Sequence, residues 1–150
     1  MLKPYQKKII DGLVRQETLL AKLYTLFAEQ FPEHAQAWSE LAIEEKKHAS
    51  WLQQLHDAGE KGIILFDEGK IKTYTMDTFI NYLEGIIAKA ESGELSLANA
   101  ISHTIDLERS LLEKNTFSHF DSTSEKARSV LKRLTRETEN HIERIKAIKG

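Results

Sequence analysis

The stretch SELAIEEKKHASWLQQL, residues 39–55, constrains the fold more than any other part of the chain. Trp38, Leu41, Glu45, His48, Leu52 and Leu55 step by three and four, which places them on one face of an α-helix. Four of the six are apolar, so the face points into a core and carries a carboxylate and an imidazole with it. Such groups are costly to bury unless something pairs with them. The E-x-x-H spacing offers one oxygen and one nitrogen to a metal ion on the axis of a helical bundle, and it requires partners on other helices.

Composition narrows the options. A length of 150 residues suits one domain with a sizeable core. A hydrophobic content of 41% with 29% charged residues suits a globular chain and argues against disorder. The formal charge of −2 and the lack of a long basic run argue against nucleic acid or an anionic membrane as partner. No apolar run is long enough to span a bilayer, and MLKPYQKKII lacks the apolar region and cleavage site of a signal peptide, so the cytoplasm is the expected location. The absence of cysteine excludes disulfides, thiolate metal sites and a thiol nucleophile.

Reading along the chain, a first helix is expected over residues 4–30, with Leu13, Glu17, Leu20, Tyr24, Phe27 and Phe31 on its stripe. Phe31-Pro32 ends it, and Pro32 opens a second helix that runs to residue 58, before Gly59. So short a link makes the two an antiparallel hairpin. Residues 59–75 break the helical period, with the GIILF run either extended or lying along the bundle. A shorter amphipathic helix follows over residues 77–90. The whole connection is long enough to return along a bundle of roughly 40 Å. A third long helix is expected over residues 96–120, with Leu97, Ile101, Thr104, Glu108, Leu111 and Asn115 in register. Asp121-Ser122-Thr123-Ser124 reads as a turn and cap, and a fourth helix runs to residue 149 with Leu131, Leu134, Thr138, His141, Ile145 and Ile148 inward.

The polar residues on these apolar stripes agree in height. Residues equidistant from a hairpin turn lie level with one another. The midpoint between Glu17 and Glu45 is position 31, at the Phe31-Pro32 turn. The midpoints of Glu108 with Thr138 and with His141 fall at positions 123 and 124.5, within the second turn. Both hairpins therefore hold their buried polar groups about halfway along. Each group has an ordinary alternative: interior glutamates can be satisfied by hydrogen bonds or a core lysine, and a core histidine often donates to a carbonyl. His34, His56, His103 and His119 lie off the stripes and read as surface.

With these residues in place the chain resembles the ferritin-like superfamily, and within it the rubrerythrin-like branch, over nearly its whole length. The resemblance implies an all-α, up-down-down-up four-helix bundle in a single domain, with a long crossover carrying a short extra helix between the second and third long helices. The family pattern is a glutamate from each of two helices plus E-x-x-H from each of the other two, around two metal ions. Glu17 matches the first-helix ligand, Glu45 and His48 the first E-x-x-H, Glu108 in IDLERSLLE the third-helix ligand, and His141 the second histidine. Glu45 would then bridge the ions, Glu17 and Glu108 would be terminal, and each histidine would cap one metal. Tyr24 looks like the tyrosine that rubrerythrins place beside the metal centre.

The chain departs from the pattern in three places. The residue three before His141 is Thr138, where the second E-x-x-H has glutamate. Glu137, four before His141, is the candidate to complete the shell or else a surface residue flanking the core. The further third-helix glutamate of rubrerythrins is Leu111 here, and no rubredoxin-like cysteine module is present. The donor set suits iron, with manganese or zinc as alternatives. The resemblance implies oxidation of Fe(II) by peroxide or dioxygen, in peroxide reduction or iron handling, with a separate electron donor. Ferritin-like relatives commonly dimerise, which leaves a homodimer open. The rival reading is a ferritin-like bundle whose degraded site binds one metal or none and serves as a structural or interaction module.

Overall fold

The computed structural model describes residues 2–62, 64–66, 73–111, 120–122 and 125–148. Helix α1 spans Pro4–Gln30, with proline in its first turn and the Lys3 amide donating to Gln6 Oε1 at 2.8 Å. It ends at Phe31, whose N–H donates to the Phe27 carbonyl. Pro32 opens a single 3₁₀ turn, Pro32–His34, and not the second helix itself, which begins three residues later as α2, Ala35–Glu60. The helix runs through Gly59, because that face is occupied. A Cβ there would lie 2.8 Å from the Leu2 side chain, so the glycine lets the N-terminus pack on α2. Gly12 does the same within α1, where a Cβ would meet Met76 Cγ.

After α2, the short strand β1 (Ile64–Phe66) pairs antiparallel with β2 (Phe120–Ser122), placing Leu65 opposite Asp121. The GIILF run is thus extended in part. Asp121 and Ser122 belong to a strand where a turn was expected. Helix α3, Thr73–Glu91, starts earlier than its hydrophobic stripe suggests and packs on α1 through Met76, Phe79, Ile80, Leu83, Ile86, Ile87 and Ala90. Three ion pairs line that seam, Arg15–Glu84 at 2.5 Å, Lys22–Glu91 at 3.4 Å and Lys8–Asp77 at 3.5 Å. All three are exposed and contribute at most about 1 kcal/mol each, so the apolar face is what holds α3.

Helix α4, Leu97–Arg109, is capped by Ser96, whose hydroxyl oxygen accepts from the Asn99 amide at 3.1 Å. It ends in a turn at Ser110, so the helix expected over residues 96–120 is described only in its first half. Residues 112–119, with Asn115 and His119, lie outside the described residues, and Phe120 is in a strand. Helix α5 is Glu125–Lys146; Thr123, Ser124 and Lys149 also fall outside the described residues.

The core divides into two apolar clusters. One gathers Leu20, Leu23, Tyr24, Phe27, Trp38, Leu41, Leu107, Ile145 and Ile148 with most of the inner face of α3. The other holds Ile9, Leu13, Leu52, Leu55, Met76, Ile80, Leu131 and Leu134. The chain passes from the second cluster to the first along α1, back along α2, forward again on α3, and along α5 in the direction of α1. Helix α4 starts in the first cluster and leads to the β-ribbon and the start of α5. The four long helices therefore run up, down, down and up, and α3 is the return segment of the crossover. Between the clusters lies a polar layer.

Candidate metal centre

Each of the four bundle helices contributes to that layer, and on α1, α2 and α5 it does so where the stripe passes from one cluster to the other. Gln16 and Glu17 follow Leu13 on α1, Glu45 and His48 separate Leu41 from Leu52 on α2, Glu108 follows Leu107 on α4, and Thr138 and His141 separate Leu134 from Ile145 on α5. Glu17, Glu45, His48 and His141 are fully buried, and Glu108 is 2% exposed.

Glu45 is at the centre. Its Oε2 lies 3.4 Å from His48 Nδ1 and its Oε1 2.8 Å from His141 Nδ1. His48 Nδ1 is also 3.9 Å from Glu17 Oε2, and His141 Nδ1 is 3.4 Å from Glu108 Oε1. The two imidazoles stack at 5.2 Å with an interplanar angle of 18°. Both therefore turn Nδ1 towards the carboxylates and Nε2 away from them. One donor atom from each of Glu45, His48 and His141 lies within 4.8 Å of the other two. Tyr24 donates its hydroxyl to Glu108 Oε1 at 2.6 Å.

Five of the residues singled out in the sequence thus meet: Glu17, Glu45, His48, Glu108 and His141. Glu137 does not enter the layer. Its Oε1 lies 3.3 Å from His48 Nε2, on the outer side of the ring, and its Oε2 accepts from Arg133 Nε at 2.9 Å. Thr138 faces inward but gives its hydroxyl to the Leu134 carbonyl at 3.0 Å, and Leu111 is buried among apolar neighbours. Glu44, absent from the sequence reading, occupies the outer side of the other ring. Its Oε1 is 3.4 Å from His141 Nε2, and its Oε2 accepts from Arg144 Nη1 at 2.5 Å. A signal was present: both histidines have glutamate four residues before them, in EEKKH and ETENH. His34, His56 and His103 are half-buried, more enclosed than surface residues, and none touches the layer; His119 is outside the described residues.

The electrostatics of the layer are those of acids and imidazoles crowded together out of water. Burial pushes the Glu108 carboxyl up, the charge of Glu45 pushes it further, and it reaches about 8. For Glu45 the burial effect is outweighed by contacts with Glu17, His141 and His48, which hold it below the usual carboxylate range. Burial lowers His141, but Glu108 and Glu45 more than reverse this and raise it to about 11. Burial, then Glu108, drives the Tyr24 phenol well above its ordinary value. Both Glu45 oxygens and Oε2 of Glu108 are buried without a hydrogen-bond partner among the described residues, the His141 approach at 2.8 Å lying off the hydrogen-bond direction. Native proteins rarely leave such atoms unsatisfied. Three carboxylates and two imidazole nitrogens form a hard-to-borderline O/N donor set, and a divalent ion would satisfy those atoms together.

The chain matches the Rubrerythrin family over residues 14–149, a span that includes every residue of the layer. The chain belongs to the rubrerythrin family. No curated protein and no solved structure matches it. Membership of the rubrerythrin family and the Glu45–His48–His141 group together support a di-metal carboxylate protein. No helix among the described residues is long and apolar enough to cross a membrane.

The protonation pattern gives the metal-free protein a distinctive pH response. Glu108 and His141 both have folded-state values raised above their unfolded ones, to about 8 and about 11. The stability each contributes is complete below its unfolded value and is lost as pH rises through the folded one. In a chelator-containing buffer, the melting temperature is therefore expected to fall between pH 6 and pH 9 by more than roughly 4 °C, the equivalent of about 1 kcal/mol or more in a domain of this size. Manganese or zinc, by replacing the protons, should flatten that slope. A metal-free melting temperature that is level or rises over this range would contradict the assignment.

Proposed function

We propose that this protein is a di-iron carboxylate protein of rubrerythrin type that oxidises Fe(II) with peroxide or dioxygen. The observation that carries the reading is the position of Glu45, whose two oxygens face two different histidines from two different helices. Glu45 would bridge. Glu17 and His48 would hold one ion, and Glu108 and His141 the other. When bound, a pair of Fe(II) ions supplies the two electrons that, with two protons, reduce hydrogen peroxide to two waters.

The chain's own residues define what such a centre would need. The two apolar clusters close the layer above and below and keep bulk water from the carboxylates. Tyr24 fixes Glu108 by its 2.6 Å hydrogen bond, leaving Oε2 of that carboxylate to ligate. His141 must give up its Nδ1 proton and Glu108 its carboxyl proton when a cation enters, so metal uptake should release protons near neutral pH. The sequence has no cysteine, and re-reduction would fall to a separate electron donor. A cytoplasmic location and a homodimer belong to the same proposal.

Thr138 favours a second reading, a bundle that holds one ion or none and acts as a structural or interaction module, because its hydroxyl is already given to the backbone. Metal analysis of protein purified without chelator separates the two. Close to two irons per chain, with peroxide consumed by the iron-loaded but not the zinc-loaded protein, is expected. No bound metal in an iron-replete preparation would favour the module.

A further inference from the structure

The outer faces of the two histidines are built alike, and the likeness is crossed. On α2, Glu44 stands four residues before His48; on α5, Glu137 stands four residues before His141. The contacts run between the helices. Glu44 reaches His141 Nε2 at 3.4 Å, and Glu137 reaches His48 Nε2 at 3.3 Å. Each has its second oxygen held by an arginine, Arg144 Nη1 at 2.5 Å and Arg133 Nε at 2.9 Å. Arg133 is further placed by the Trp51 ring, 4.8 Å beneath its guanidinium, and Trp51 in turn lies 5.4 Å from the His48 ring. The side chains of Glu44 and Glu137 are 23% and 22% exposed, so they form the solvent-side wall of the buried layer.

We propose that Glu44 and Glu137 are a crossed pair of positioning residues, each accepting the Nε2 hydrogen of the histidine on the opposite helix and so directing that histidine's Nδ1 lone pair at the buried carboxylates. The chemistry leaves one assignment. An ionised carboxylate only accepts, so the nitrogen facing it must be the one that carries hydrogen. A neutral imidazole bears hydrogen on one nitrogen alone, and the other, here Nδ1, is then free to bind a cation. The arginines hold each carboxylate pointed at its ring. This gives Glu137 a role distinct from that of the missing ligand at position 138. It is the counterpart of Glu44, as Thr138 is the counterpart of Glu45 and His141 that of His48. The crossing also ties the rotation of each ring to the distance between α2 and α5, so neither helix can shift without turning a ligand.

The inference rests on the metal-binding reading, and its test is chosen to stand apart from it. Zinc affinity is measured by chelator competition for the native protein and for Glu44→Ala, Glu44→Gln, Glu137→Ala and Glu137→Gln, alongside nitrogen-15 NMR of the imidazoles in the zinc-loaded and metal-free proteins. Each alanine variant is expected to lose roughly 10–100-fold in affinity. Each glutamine variant, whose amide oxygen still accepts from Nε2, should recover most of it. Glu137→Ala should move the His48 Nε2 resonance and leave that of His141 in place, and Glu44→Ala the reverse. Affinities within twofold of native, glutamine variants no better than alanine ones, or shifts confined to the histidine of the same helix would overturn the proposal. If the native protein binds no zinc, the metal reading fails, and the crossed pattern of shifts in the metal-free protein alone decides the pairing.

Discussion

Glu45→Ala is expected to abolish the binding of a metal pair while leaving a folded helical protein. The two oxygens of Glu45 face both histidines, at 3.4 and 2.8 Å, from the centre of the layer. The metal-free variant should also be weakened. Glu45 is the ionised partner of a histidine held protonated to about 11, and removing one member of a buried charged pair typically costs about 3 kcal/mol. For a domain of this length that corresponds to a fall of roughly 6–12 °C in melting temperature. Glu108, relieved of the neighbouring charge, should ionise more readily and recover part of the loss. Metal analysis and circular dichroism on one preparation test both statements. A variant that keeps two ions per chain would remove Glu45 from the centre.

The opposite effect is expected at position 138. Thr138→Glu places a carboxylate at the i−3 position before His141, the spacing that Glu45 has before His48. The second ion should then bind more tightly by about tenfold or more, equivalent to at least about 1.4 kcal/mol. The same substitution adds a further acid to a layer that already keeps Glu108 raised to about 8, so the metal-free protein should lose about 1–3 kcal/mol. Tighter metal with a weaker apoprotein is the signature sought, read by zinc or cobalt titration and by melting in chelator. A variant that gained no affinity, or gained stability without metal, would show that the threonine is not standing where a ligand belongs.

The bundle and its polar layer were legible because both rest on local periodicity. A stripe such as Leu13, Glu17, Leu20, Tyr24, Phe27 states which face is buried without reference to any other part of the chain, and level placement about a short turn then brings two stripes together. What escaped was set by contacts between distant segments. The ribbon joins Ile64–Phe66 to Phe120–Ser122, strands too short to show alternation and paired only through the third dimension. Gly59 looks like a stop signal in the sequence, but within the helix its missing Cβ makes room for Leu2, far away in sequence. Glu44 sits about 100° around the helix from Glu45, on what its own stripe marks as the outer side. Its meaning comes from a histidine on another helix. Glu137, placed next to the ligands by spacing, is turned to the outer face for the same reason.

The division of the interior has a thermodynamic corollary. Two oil-like regions lie on either side of a layer of acids and imidazoles, and cooperativity between them passes in part through whatever neutralises that layer. In the apoprotein the bond is made of protons, which solvent supplies or withdraws with pH. With divalent ions in place it would be made of coordination bonds spanning four helices, and loading the centre would then also decide whether the two halves of the interior melt as one body or apart.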